Sequence, residues 1–206
     1  MKTYMLTVFA DSKEGGNPCP VTIDADNLSN DEMQNISKEY GLEAGFIMKS
    51  ERPDCDYKLK YFVPLHEMEM CVHATLACAT VVKEKLNFKK DVINFETFFG
   101  ITRVETKRDS KGLHVQIWQF DMDKLDKNPT KKDVATCLNI DEAEIGDMPI
   151  ASYKTSRYKL IIPLKSRAIL DSIKPNFEML KSLCEKYETS GFYPFAEEKG
   201  NYYARQ

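Results

Sequence analysis

The sequence predicts an α+β fold. Strand-like segments come in pairs, helices interrupt them only occasionally, and no regular βαβαβ alternation runs along the chain. Neither G-x-G-x-x-G nor G-x-x-x-x-G-K-[ST] is present, which argues against dinucleotide and P-loop nucleotide binding.

The elements follow in order. "TYMLTVF" (3–9) alternates and is rich in β-formers, so it predicts a strand. "ADSKEGGNPCP" (10–20) gathers turn-formers, and "VTID" (21–24) resumes as a strand. A helix is expected over "LSNDEMQNISKEYG", with Ser29 as N-cap and Gly41 as C-cap. "AGFIMKS" and "YKLKYFV" read as strands, the second ending at Pro64. "HATLACATVVKEKLN" (73–87) predicts a helix whose Ala, Thr and Cys side chains suit a position crowded on all sides. Strands follow at 92–96, 100–107 and 113–120, with "RDSKG" as a hairpin-like turn.

The polar, lysine-rich stretch 121–133 is the best candidate for a domain boundary, dividing the chain into 1–120 and 121–206. Beyond it come short helices at about 131–139 and 141–145, and one or two strands within "ASYKTSRYKLIIPLK". Helices are then expected at "SRAILDSI" and at "NFEMLKSLCEKY", where Phe177, Leu180, Cys184 and Tyr187 share a face. "GFYPFAEE" and "NYYARQ" read as the last strands.

Composition narrows the partners. With 29 basic and 32 acidic residues the net charge is −3, so nothing suggests electrostatic attachment to nucleic acid or anionic lipid. No apolar run reaches the ~20 residues that span a bilayer, and the start does not read as a signal peptide. The six cysteines are scattered without a C-x-x-C pair, so free thiols and a cytoplasmic protein are expected.

The chemistry-bearing residues cluster near the small-residue helix. Cys71 and His73 stand at its threshold. A metal reading adds His66, but H-x4-C-x-H matches no standard zinc spacing, and no metal is expected. A second reading leaves Cys71 buried and His73 in a local hydrogen bond. A third is catalytic: amides opening a helix have no internal partners and sit at the positive end of its dipole, so they stabilise an anion. His73 could then donate a hydrogen bond or shuttle a proton, and Val72, Ala74 and Thr75 would border the ligand. Glu43 is either a solvated carboxylate or a general base, its pKa raised in a dry pocket, with the apolar "AGFI" beyond it suggesting an inward face. In "GGNP", Asn17 orients a substrate or fixes its own turn, with Pro18 beside it.

These residues resemble a known family. "VFADSKEGGNPCPVTIDADNLSNDEMQNISKEYGLEAGFIM", followed by "KLKYFVPLHEMEMCVHATLACATVV", is similar to the phenazine-biosynthesis PhzF-like proteins. The hallmarks are Gly16-Asn17-Pro18, Glu43 after the first helix, Phe62-Val63-Pro64, and Cys71-Val72-His73-Ala74-Thr75. The segments "FETFFGITRV" and "SRYKLIIPLKSRAILDSIKPNF" fit the family's order of elements, so the likeness spans nearly the whole chain.

The resemblance implies a diaminopimelate-epimerase-like fold of two pseudo-symmetric domains. Each is a curled sheet or barrel around a central helix, the first helix running from about 73 to 86, with the active site in the cleft between the domains. It implies cofactor-independent isomerisation of a small carboxylate-bearing metabolite, with Glu43 moving a proton at carbon and His73 lining the site. In related racemases a thiol base occupies the position of Cys71, which makes Cys71 an alternative proton carrier. A homodimer is compatible with the likeness but not required by it.

Three departures stand out. Val72 replaces the usual glycine, Ala44-Gly45 replaces a threonine-containing run, and the D-P-x-T-G motif that opens the second central helix does not follow "NYYARQ". The second domain is therefore expected to lack its C-terminal part. The competing reading is a non-catalytic small-molecule-binding or interaction protein with a degenerate site.

Overall fold

The computed structural model describes residues 1–12 and 14–205. Lys13, in the turn expected at 10–20, and Gln206, at the end of the last expected strand, lie outside them. The chain divides into two compact units, Met1–Gln119 and Phe120–Gln206, each with its own sheet.

In the first unit, β1 (Lys2–Val8) pairs antiparallel with β2 (Asn17–Ile23) over their whole lengths. The strand expected at Val21 thus begins four residues earlier, because "NPCP" joins the ladder instead of closing the turn. Pro18 and Pro20 are tolerated there because β3 (Ala44–Met48) pairs only with Val21 and Thr22, so that flank of β2 loses no ladder bond. Gly16 turns the chain into β2 with φ +87°, and a Cβ there would stand 2.7 Å from the Val8 carbonyl oxygen. Before β3, α1 (Asn30–Tyr40) is closed by a reciprocal Ser29–Glu32 capping box and by a left-handed Gly41, as its sequence signals require.

β4 (Tyr57–Phe62) pairs antiparallel with β3 and with a two-residue β5 (Glu67–Met68) that the sequence did not signal. The small-residue helix is α2 (Val72–Glu84), one residue earlier at its start than expected. β6 (Val92–Thr97), β7 (Gly100–Asp109) and β8 (Gly112–Ile117) complete the sheet, whose order is β1-β2-β3-β4-β6-β7-β8.

α2 packs on β1, β2, β3 and β8, and so touches both edge strands of this sheet. Seven flat strands at ~4.8 Å spacing would hold those edges roughly 29 Å apart. A helix is only about 10 Å thick, so contact with both edges requires the sheet to curl around it. Ala74, Ala77, Cys78 and Ala79 are fully buried, which explains the run of small side chains: a ring of strands leaves no room for larger ones.

The second unit holds β9 (Asp123–Lys124), α3 (Lys131–Leu138), β10 (Ala151–Lys154), β11 (Lys159–Leu164), α4 (Arg167–Ser172), α5 (Phe177–Lys186), β12 (Phe192–Glu198) and β13 (Asn201–Ala204). The helix expected at 141–145 is a single 3₁₀ turn, Glu142–Glu144, too short and too acidic to propagate. The sheet order is β13-β12-β11-β10-β9, with β11 and β12 parallel. Val134, Leu138, Leu160, Ile162, Leu170 and Phe192 anchor a core distinct from that of the first unit. No described helix is long and apolar enough to cross a membrane.

Candidate functional site

α2 begins without a side-chain cap: Cys71 is its N-cap residue, and the first helical bond runs from the Thr75 amide to the Cys71 carbonyl at 2.9 Å. The amides of Val72, His73 and Ala74 precede that bond and face outward along the helix axis. A second clamp holds the same carbonyl, because the Thr75 hydroxyl donates to it at 2.8 Å. Thr75 in turn lies 2.7 Å from the buried Tyr61 hydroxyl. Tyr61 therefore sets the backbone of Cys71 through Thr75, a role its place in the alternating "YKLKYF" did not signal.

Glu43, directly before β3, meets this helix start. Its Oε2 lies 3.4 Å from His73 Nε2 and 3.7 Å from Cys71 Sγ, while Sγ lies 3.3 Å from His73 Nδ1. Cys71 and His73 are buried at 4% and 7% exposure. The Glu43 side chain keeps 40% of its surface, so the dry, inward pocket expected from "AGFI" is not formed around it. β3 is covered on both faces, with Ala44 to Ile47 all buried, and Glu43 lies just outside it at the strand's open end.

Burial pushes the Cys71 thiol well above its usual range; the Ala74 amide opposes this and the Glu43 charge adds to it. Burial also depresses His73, against the pull of Glu43. The protonation pattern follows. The protonated thiol donates towards Glu43 Oε2 with His73 Nδ1 as its other close neighbour, and an imidazole proton on Nε2 points at the same carboxylate. Cys71 and His73 thus both face Glu43 Oε2.

The other expected site residues are placed differently. Ala74 and Thr75 are fully buried, with the Thr75 hydroxyl occupied by its two partners. Val72 is half-buried at the first helical position. Asn17 and Pro18 are exposed at the start of β2, paired with Val8 and Thr7. Cys19 is an unforeseen neighbour. With Val21 opposite Gly45, Cys19 stands level with Glu43 across the parallel β2–β3 pair. It is fully buried, and its thiol is pushed up to about 12 by that burial. Its place in "NPCP" had the look of a turn, which concealed it. His66 is exposed and outside the cluster; the third donor near Cys71 and His73 is Glu43.

A sequence profile described as "Phenazine biosynthesis-like protein" matches residues 6–206. The chain belongs to the phenazine biosynthesis-like family.

Among curated members of this family, the chain is 31% identical over 193 residues to an uncharacterized isomerase, YfhB, of Bacillus subtilis, covering 92% of the chain and 65% of that protein. It is 28% identical over 198 residues to the uncharacterized isomerase YddE of Escherichia coli K12, with 94% of the chain and 66% of YddE covered. The chain thus spans just under two thirds of the length of these relatives. A crystal structure of a PhzF-family phenazine biosynthesis protein from Bacillus anthracis superposes with a TM-score of 0.83 at 25% identity, covering 100% of this chain and 72% of that one. A hydroxyproline epimerase from Agrobacterium vitis aligns with a TM-score of 0.60 at 8% identity, covering 92% and 66%, which shows the shared epimerase-like fold.

Proposed function

We propose that this phenazine biosynthesis-like chain acts in a cofactor-independent isomerisation, with Glu43 moving a proton at carbon on a small carboxylate-bearing metabolite. The observation that supports this most is the contact of Glu43 with His73 at the opening of α2. It sets a solvent-reachable carboxylate beside helix amides that have no internal partners.

The chemistry follows from that pairing. A C–H bond next to a carbonyl or carboxylate breaks, its electron pair moves onto the oxygen, and the proton passes to Glu43. The amides of Val72 and His73 meet the negative charge, aided by the helix dipole. Proton return to a different carbon or the opposite face completes the isomerisation. His73, donating from Nε2, holds the carboxylate in place, and Thr75 and Tyr61 position the helix start. Asn17 and Pro18 are assigned to substrate contact on the family likeness. Cys71 is the poorer base, because burial keeps its thiol protonated.

The test is solvent-deuterium exchange into a panel of small amino and hydroxy carboxylates. Glu43→Gln should lower exchange by at least ~10²-fold, the range general acid–base groups supply, with an unchanged far-UV spectrum. Wild-type-like exchange in that folded variant would remove Glu43 as the base.

A further inference from the structure

We infer that Glu43, Cys71 and His73 also form a binding site for a thiophilic divalent cation of the zinc class, and that the ion competes with proton transfer there. The competition rests on the proposed function above; the binding stands on donor geometry alone.

Three chemically different donors converge: carboxylate Oε2, thiol Sγ and imidazole Nε2. Their separations are 3.7 Å for Sγ–Oε2, 4.0 Å for Sγ–Nε2 and 3.4 Å for Nε2–Oε2. Tetrahedral zinc, with bonds of about 2.0–2.3 Å, holds its donors roughly 3.3–3.6 Å apart. A closure of a few tenths of an ångström therefore converts the triangle into a ligand set. One nitrogen, one sulfur and one oxygen suit zinc or cobalt and not magnesium or calcium, which take oxygen donors.

Three protein donors also leave the fourth tetrahedral position open, the pattern of reactive zinc sites and not of closed structural ones. Cys71 is the N-cap and His73 lies on the first turn of a 13-residue helix, with the Cys71 carbonyl fixed by the Thr75 amide and hydroxyl. The 40% exposure of Glu43 provides the way in.

On binding, the S–H bond breaks and a sulfur–metal bond forms, while the imidazole proton moves from Nε2 to Nδ1 so that Nε2 can ligate; one proton in all leaves to solvent, so affinity rises with pH. The ion then occupies the Glu43 oxygen that would accept the substrate proton, and exchange stops.

The test uses the whole chain, stripped with a chelator and titrated with Co²⁺, then Zn²⁺, without substrate. One Co²⁺ should bind with a sulfur-to-cobalt charge-transfer band in the near ultraviolet, and Zn²⁺ should displace it. Cys71→Ser should lose the band, and Glu43→Gln and His73→Gln should each weaken affinity at least tenfold with unchanged far-UV spectra. Absence of the band in the unmodified chain, or its persistence in Cys71→Ser, overturns the site. X-ray absorption of the zinc form gives a readout that needs no variant: one sulfur neighbour supports the site, and none overturns it. Deuterium exchange run in chelator and then with Zn²⁺ separates the two halves. Exchange unaffected by saturating Zn²⁺ overturns the competition, whereas failure of exchange in chelator counts against the isomerase reading and leaves the binding result standing.

Discussion

Burial and a carboxylate pull His73 in opposite directions, and burial prevails. The consequence for pH dependence has a definite sign. The folded pKa lies below the ordinary 6.5, so the unfolded chain takes up a proton first as pH falls. Stability is then unaffected by His73 above about pH 6.5, declines as pH falls through that value, and levels off below the folded pKa. His73→Gln should flatten that part of the profile. Urea titrations of both proteins at pH 7.5 and pH 5.5 measure it; an equal loss in the variant would show that other groups carry the acid sensitivity. The same burial that keeps His73 neutral keeps Cys71 protonated, which is why the half-exposed Glu43 is the member of the trio free to take a proton.

The close approach of β3 to α2 depends on Gly45. A Cβ there would stand 2.6 Å from Cys78 Sγ, inside any tolerated contact. Ala44-Gly45 follows Glu43, and the Cys78 sulfur fills the space beneath Gly45. Gly45→Ala should destabilise the protein by about 1–3 kcal/mol, the usual cost of overpacking a filled core. Removing the obstacle should recover part of that loss, so Gly45→Ala combined with Cys78→Ala should be less unstable than the sum of the single changes. Strict additivity in chemical denaturation would place the strain elsewhere. The contact also bears on function, because Glu43 directly precedes β3 and α2 carries His73 at its N-terminal end. Their spacing sets the 3.4 Å contact.

Each of the two units has a sheet and a core of its own, and the proposed proton carrier and its neighbours all lie in Met1–Gln119. A unit that buries its own apolar side chains should fold alone. Residues 1–119 expressed separately should therefore give a mixed α and β far-UV spectrum and a single cooperative thermal transition. The donor trio should survive with it, so the cobalt band should be retained. A broad, non-cooperative melt would show that the first unit depends on the rest of the chain.

Much of this was legible in the chain's local patterns. The α+β class followed from paired alternating segments, the caps of α1 from Ser29, Glu32 and Gly41, and the crowded setting of α2 from its Ala, Thr and Cys run. Glu43, Cys71 and His73 were each identifiable as chemistry-bearing residues, since helix starts and strand entries are read over a few neighbours. Their convergence was expected only through the family likeness, because local patterns do not carry it. Glu43 and Cys71 are 28 residues apart, and only the curling of the sheet around α2 brings the entry of β3 to the start of that helix. The positions of Cys19 and Tyr61 follow the same rule. One lay in a run of prolines that resembled a turn, the other in an ordinary strand, and strand pairing made them neighbours of the site. Short-range propensity sets elements and caps because its interactions span a turn or two. Exposure, protonation and donor geometry depend on long-range packing, and these are what turn three separate side chains into one reacting group.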